Sequence, residues 1–233
     1  MLRSVLKSIL FNPIWITETR LRKHLNEAVS TFRIQTSDKW LDVGCGERPY
    51  ESLFPPGAYT GVDVAISGRP ASMKNPDFYY DGRTLPFSDK SFDGVLCTQV
   101  LEHVPNPEAL FTEIHRVLRP GGRLILSAPF LWQEHEEPYD FFRFSSFGLR
   151  ELLMRRHFDV IFMQKTTGSL EAIAQTMSVY VVNNLSLPIR GWGGIMSLFI
   201  CCPIQICGLL LQRLLPDQGK LFLDCVIIAR REV

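Results

Sequence analysis

The sequence predicts an α/β fold, a mostly parallel sheet with helices on both faces, and three observations predict it. From Lys39 onward, short apolar runs alternate with helical stretches, the arrangement that makes parallel strands joined by crossover helices. The first of these runs ends in a glycine turn, Leu41-Asp42-Val43-Gly44-Cys45-Gly46, and acidic residues recur at the ends of later runs. A helix with complete boundary signals, Pro107 to Leu118, separates two of the strand candidates.

In chain order, residues 1–38 read as a helical, mildly basic segment. Leu2, Val5, Leu6, Ile9 and Leu10 recur at helical spacing, with Arg3, Ser4, Lys7 and Ser8 opposite. Such a helix either packs on the domain or lies on a membrane surface with its basic side toward headgroups. Strands are expected at 39–43, 58–63, 77–80, 92–97, 123–129, 158–164 and 221–229. Before the 107–118 helix, Asn106 supplies an N-cap, Pro107 occupies the first helical position and Glu108 complements the positive helix end; Pro120-Gly121-Gly122 stops it. Residues 39–167 then form the core, 168–216 an apolar helical insertion, and 217–233 the last strand of the sheet.

The insertion breaks the strand–helix rhythm. No charged residue lies between Gly191 and Gln212, and Gln205 is the only strongly polar side chain within 195–211. About twenty apolar residues could span a bilayer. Pro203 interrupts the run, however, and the strand at 221–229 must return to the same sheet. The reading is therefore a lid or an element dipping into a membrane surface, against the alternative of a buried helix pair or a dimer interface.

Composition bounds the function. The 233 residues carry a formal net charge of +1, so no basic field points to nucleic acid. The six cysteines form no C-x-x-C pair, so neither zinc site nor disulfide framework is expected, and a reducing, cytoplasmic setting is the default. Lys7 and Pro13 interrupt the N-terminal apolar stretch, unlike a signal peptide.

The glycine turn brings backbone close to a ligand. A dinucleotide loop would need glycine at position 49, which is Pro49. Asp63, at the end of the second strand, can accept both ribose hydroxyls of an adenosine-type cofactor. Asp81, at the end of the third, can accept from an adenine amino group. The fourth strand runs into Thr98-Gln99-Val100-Leu101-Glu102-His103-Val104, and ligands of open α/β sheets bind at such strand ends.

Together Leu41 to Gly46, Val62-Asp63, Asp81 to Phe87, Ser91-Phe92-Asp93, Val100 to Val104 and Leu118 to Gly122 resemble the motifs of class I S-adenosylmethionine-dependent methyltransferases. The branch is that of the ubiquinone-type, methyltransferase type 11 enzymes, and the resemblance covers residues 39–130. It implies a Rossmann-like, seven-stranded sheet with one antiparallel strand. It also implies that Gly44, Cys45 and Gly46 pass backbone under the methionine part of S-adenosylmethionine while Asp42 places its amino group. Asp63 with Val64 would hold the ribose, Asp81 with Gly82 would flank the adenine, and Gln99 would line the sulfonium pocket. One departure stands out: the third glycine usual in the family is replaced by Arg48, which could reach the methionine carboxylate.

The stretch from Ala128 to Phe144 gathers aromatic, acidic, His and Arg groups beside the expected methyl donor. It loosely resembles a segment of methyltransferases of bacterial surface-glycan and lipid pathways. Trp132, Tyr139 and Arg143 are the candidate substrate contacts. His135, then His103, are the candidate general bases, since an imidazole titrates near neutral pH. Glu134-His135-Glu136-Glu137 lacks helical ligand spacing, so no metal is expected.

The leading expectation is methyl transfer to a small-molecule, glycan or lipid-linked acceptor at a membrane surface met through residues 1–16 and 191–215. Two others stand beside it. One is a non-catalytic S-adenosylmethionine-binding partner of another enzyme; the other is methylation of a soluble metabolite, with the insertion as a homodimer interface.

Overall fold

The computed structural model describes residues 12–185 and 195–232. Helix α1 is Trp15–Ser30, followed by strands β1 (Trp40–Val43), β2 (Tyr59–Val64), β3 (Phe78–Tyr80) and β4 (Phe92–Thr98). Helix α2 (Pro107–Val117) leads directly into β5 (Leu118–Pro129), and α3 (Ser146–Met154) precedes β6 (Phe158–Lys165). Helix α4 (Ser169–Leu185) comes next, then a π-helical turn, Ser197–Cys201, that runs into α5 (Cys202–Leu214), and finally β7 (Asp224–Arg231). The seven strands form one mixed sheet in the order β3-β2-β1-β4-β5-β7-β6. The β1–β2, β1–β4, β2–β3 and β4–β5 pairings are all parallel. The order reverses on either side of β1, so the crevice beyond the carboxyl ends of β1 and β4 is the topological switch point, where ligands of such sheets bind.

All four residues of β1 are buried, as expected of a central parallel strand covered on both faces. The Trp40 ring packs between Phe32 and Phe54, at 5.9 and 5.3 Å between centroids. On β4, a Cβ at Gly94 would lie 2.5 Å from the Trp40 ring, so this glycine is where the indole presses on its neighbour strand. Asn106 caps α2 by accepting from the Ala109 N–H at 3.1 Å. Leu110, Phe111, Ile114 and Val117 are buried on one face of that helix, each contributing about 1.5–3 kcal/mol of burial. The helix stops at Val117, with Leu118 already extended, so Pro120-Gly121-Gly122 lies beyond its end, within β5. The register slips between Phe92↔Leu118 and Gly94↔Arg123, so residues 119–122 loop out of the ladder as a bulge, with Gly121 at φ +73°.

The chain forms two compact units, Met1–Lys23 with Lys165–Asp224, and His24–Gln164 with Cys225–Val233. In the first, α4 and α5 approach closely: a Cβ at Gly208 would lie 2.4 Å from the Ala174 Cβ. Polar groups face inward there. Gln175 and Gln205 are fully buried and both donate to the Pro13 carbonyl at 2.7 Å, while Arg20 pairs with Glu171. The π turn, Ser197–Cys201, ends just before Pro203, which sits in the first turn of α5, a position that tolerates proline.

Apolar groups face outward. Phe199, Ile206, Leu210 and Leu214 are exposed along Ser197–Leu214, Phe199 being 70% and Leu214 77% exposed; Ile173, Met177 and Tyr180 are exposed on α4. This amphipathicity is inverted relative to a surface helix of a soluble domain. The two helices pair, with one face of each turned outward. Ser197–Leu214 is, among the described residues, the one helix long and apolar enough to cross a membrane, with mean hydropathy 1.6 and 28% of it buried. The expected basic stripe from Leu2 to Leu10, and Gly191 at the start of the apolar run, lie outside the described residues.

Candidate active site

The carboxyl ends of β1, β2, β3 and β4 gather most of the residues singled out from sequence. After Val43, which is in register with Cys97 of β4, the chain turns with Gly44 at φ +74° and Gly46 at φ +51°. A Cβ on Gly44 would sit 2.4 Å from Val100 Cγ2, so only glycine fits both the dihedral and the space. The Cys45 side chain turns away from the crevice: its Sγ is where a Cβ on Gly61 would fall, 2.7 Å away. Burial, with the Asp42 and Asp63 carboxylates nearby, pushes its thiol up to about 12. What Cys45 presents to the crevice is therefore main chain.

Asp42 is wholly buried. One oxygen accepts from the Tyr59 hydroxyl; the other, Oδ1, has no hydrogen-bond partner. Burial, the largest cause, pushes its carboxyl up to about 7; the Tyr59 hydroxyl and the Arg48 charge oppose the rise and Asp63 adds to it. A buried carboxylate oxygen with no donor is costly, and a cationic or N–H ligand group would remove that cost.

Asp63 accepts from the Gly46 N–H at 2.9 Å and from the Val64 N–H at 2.7 Å, which couples the ends of β1 and β2. Lys74, which the sequence reading missed, places its Nζ 3.4 Å from Asp63 Oδ1 and donates to the Val64 carbonyl at 2.7 Å. No motif marks this lysine, because it lies in irregular chain after β2. Asp81 accepts from the Arg83 and Thr84 N–H groups, both at 2.8 Å, and these bonds hold its carboxyl below the usual range. Gly82, at φ +78°, comes close to the Val64 side chain. Gln99, at φ +54°, donates through Nε2 to Ser127 Oγ at 3.1 Å.

Arg48 does not project into the crevice. Its guanidinium pairs with Asp77 at 2.7 Å and Glu51 at 2.9 Å and lies over the Tyr59 ring. The reach to a methionine carboxylate considered from the sequence is thus spent on the protein.

The 130–144 segment folds against the turn after β4. Phe141 N–H donates to the Glu102 carbonyl at 2.7 Å and Phe144 N–H to the Pro129 carbonyl at 3.0 Å. His103 and His135 stack edge to face, 4.7 Å between centroids. Burial and the neighbouring His103 hold the His135 imidazole below its ordinary range. Arg143, a candidate substrate contact, uses all five N–H donors inside its own loop: two bonds to Asp140, and one each to the Trp132, Gln133 and Phe142 carbonyls. It clasps the loop. Trp132 and Tyr139 are half-buried, and the Tyr139 carbonyl meets His103 Nδ1 at 2.7 Å. Arg69 closes the arrangement through an ion pair with Glu136.

Residues 41–126 match the family described as Methyltransferase domain. The demethylmenaquinone methyltransferase of Staphylococcus epidermidis is 34% identical over 116 residues, 45% of this chain and 47% of that protein. The fatty-acid O-methyltransferase of Mycolicibacterium smegmatis is 36% identical over 110 residues, 43% of this chain and 38% of that protein. The chain thus spans less than half the length of these curated relatives. Among solved structures, phosphoethanolamine N-methyltransferase 2 of Haemonchus contortus, in complex with S-adenosyl-L-methionine, superposes with a TM-score of 0.55 at 16% identity, over 90% of this chain and 53% of that one. SpnF, a cyclase, superposes with a TM-score of 0.53 at 18% identity, over 90% and 80%. At such identities the likeness shows the fold, and the cyclase illustrates that fold alone does not fix chemistry.

Proposed function

From the premise that residues 41–126 are a class I S-adenosylmethionine-dependent methyltransferase domain, we propose that this chain methylates an apolar, lipid-like acceptor presented at a membrane surface. The observation that carries the reading is the Asp42–Gly44–Gly46–Asp63 arrangement at the β1–β4 switch point. The unpartnered, buried Asp42 Oδ1 and the tight main-chain turn at Gly44 and Gly46, both at positive φ, fit a ligand with an amino group and an extended backbone-bound arm. S-adenosylmethionine bound there supplies an activated methyl group, transferred in line as the acceptor's lone pair forms the new bond and the carbon–sulfur pair leaves with sulfur.

The chain's own residues hold and align. Asp42 receives the amino group, the main chain of Gly44 to Gly46 supports the methionine arm, and Asp63 with Val64 takes the ribose. Asp81 and Gly82 flank the adenine, and Gln99, fixed by Ser127, borders the sulfonium. Such alignment can supply much of the barrier reduction. For an acceptor with an acidic proton, the neutral imidazole of His135, backed by His103, is the receiving group. Trp132 and Tyr139 border the acceptor; Arg143 shapes the loop that carries them.

The apolar acceptor is supported by relatives named for menaquinone and fatty-acid methylation and by the exposed apolar faces of α4 and Ser197–Leu214. An exposed apolar area this continuous marks a surface that meets lipid or another apolar body. A cytoplasmic position at that surface accords with the absence of any C-x-x-C pair from the sequence.

The test is incubation of the chain with methyl-tritiated S-adenosylmethionine and fractionated cell extract, followed by solvent partition. Label in the lipid phase supports the proposal. Label confined to soluble metabolites refutes the lipid part, and binding without transfer to any fraction supports a non-catalytic partner role instead.

A further inference from the structure

We propose that Glu102, His103 and His135 form a binding site for one divalent transition-metal ion of the zinc type. One ligand atom from each lies within 4.8 Å of the others. His103 Nε2 stands 3.9 Å from Glu102 Oε1; Glu136 Oε1, equally 3.9 Å away, is held by Arg69.

The tautomers are fixed by what surrounds the rings. His103 Nδ1 meets the Tyr139 carbonyl at 2.7 Å, and a carbonyl can only accept, so Nδ1 carries the proton and Nε2 the lone pair. His135 Nδ1 faces Asp140 Oδ2 at 3.2 Å and the Gln133 carbonyl at 3.3 Å, two more acceptors, so its lone pair also lies on Nε2. Arg143 holds Asp140 in place through both its oxygens. A carbonyl or carboxylate behind each imidazole is the outer support that metal-binding histidines use to set tautomer and ring direction.

Two nitrogens and a carboxylate suit zinc or cobalt rather than magnesium or calcium. In a tetrahedral site with bonds of about 2.0–2.2 Å, neighbouring donors stand roughly 3.3 Å apart, so the three donor atoms, within 4.8 Å of one another, must draw together by up to about 1.5 Å through side-chain rotation. The sequence hid this site. His135 does not share helical spacing with Glu102 and His103; the fold of the 130–144 loop brings them together.

The proposal does not rest on methyl transfer, and its readout is binding. The chelator-stripped full chain is dialysed against micromolar zinc, its metal content is measured, and the visible spectrum is recorded after cobalt loading. One ion per chain is expected, with intense low-coordinate cobalt bands. His103→Gln with His135→Gln loses the ion and the bands. His115→Gln with His157→Gln, whose rings pair elsewhere on the molecule, keeps both. Circular dichroism confirms that both variants are folded; if the first pair unfolds, the single His135→Gln variant must weaken binding at least about tenfold. No ion bound by the wild-type chain, or retention by a folded His103→Gln/His135→Gln variant, overturns the proposal.

Discussion

Replacing Asp42 by Asn separates the stability of this site from its use. The wild-type carboxyl is pushed from 3.8 up to about 7 in the folded chain, about three units, and one unit corresponds to about 1.4 kcal/mol. The fold therefore prefers the protonated form. As pH rises from about 4 to about 7 the unfolded chain loses this proton first, and stability falls; above 7 the whole cost, about 4 kcal/mol, is present. The groups facing Asp42 are Tyr59, Asp63 and Arg48, and the variant leaves all three in place. Asn has nearly the same shape, still accepts from the Tyr59 hydroxyl, and carries no charge to bury. Urea titrations followed by tryptophan fluorescence at pH 5, 6, 7 and 8 should then show Asp42→Asn gaining on the wild type as pH rises, by about 2.5 kcal/mol between pH 5 and pH 8. The same variant should bind S-adenosylhomocysteine much more weakly, because the carboxylate that receives the amino group is gone. A stability difference that does not change between pH 5 and 8 would refute the reasoning.

Gly44→Ala combines a strained φ with a Cβ 2.4 Å from Val100 Cγ2, so it should cost on the order of 1–3 kcal/mol in a thermal or urea melt. Val100→Ala in the same chain should recover the steric part only. Arg143→Lys removes the planar fork that serves Asp140 and three carbonyls; limited proteolysis and hydrogen exchange should show residues 130–144 opening while β1 to β4 stay protected. Phe199→Ser with Leu210→Ser and Leu214→Ser, all on exposed positions, should leave the melting transition nearly unchanged. Co-flotation with vesicles of anionic phospholipid should be abolished, and equal flotation of variant and wild type would remove the membrane surface from the account.

What the sequence reveals here is whatever is local in the chain. The strands at 39–43, 58–63 and 92–97 come out within one or two residues because each is a short apolar run closed by turn chemistry. The capping of α2 by Asn106 follows from three adjacent residues. The glycine turn and the acids after it mark the cofactor side because they sit at strand ends, and parallel strands bring their ends to one edge.

Pairings across long sequence distances were not legible. Tyr59 on Asp42, Lys74 beside Asp63 and Arg69 on Glu136 depend on tertiary placement, as does the meeting of His103 and His135. Arg143 looked free for a substrate because a sequence shows a charge and not its partners. Gln205 looked like a polar intrusion in an apolar run, whereas it faces inward to the Pro13 carbonyl and the apolar residues face out. Pro120-Gly121-Gly122 reads as a helix stop and not as a bulge because the pairing of β5 to β4 resumes only at Arg123.

The central claim, that the β1–β4 crevice is an S-adenosylmethionine site, is tested most directly by isothermal titration of the chain with S-adenosylhomocysteine beside Asp63→Ala. One saturable site per chain is predicted, with the folded variant at least about tenfold weaker, or about 1.4 kcal/mol. No binding by the wild-type chain, or the same affinity in a folded Asp63→Ala variant, would contradict it.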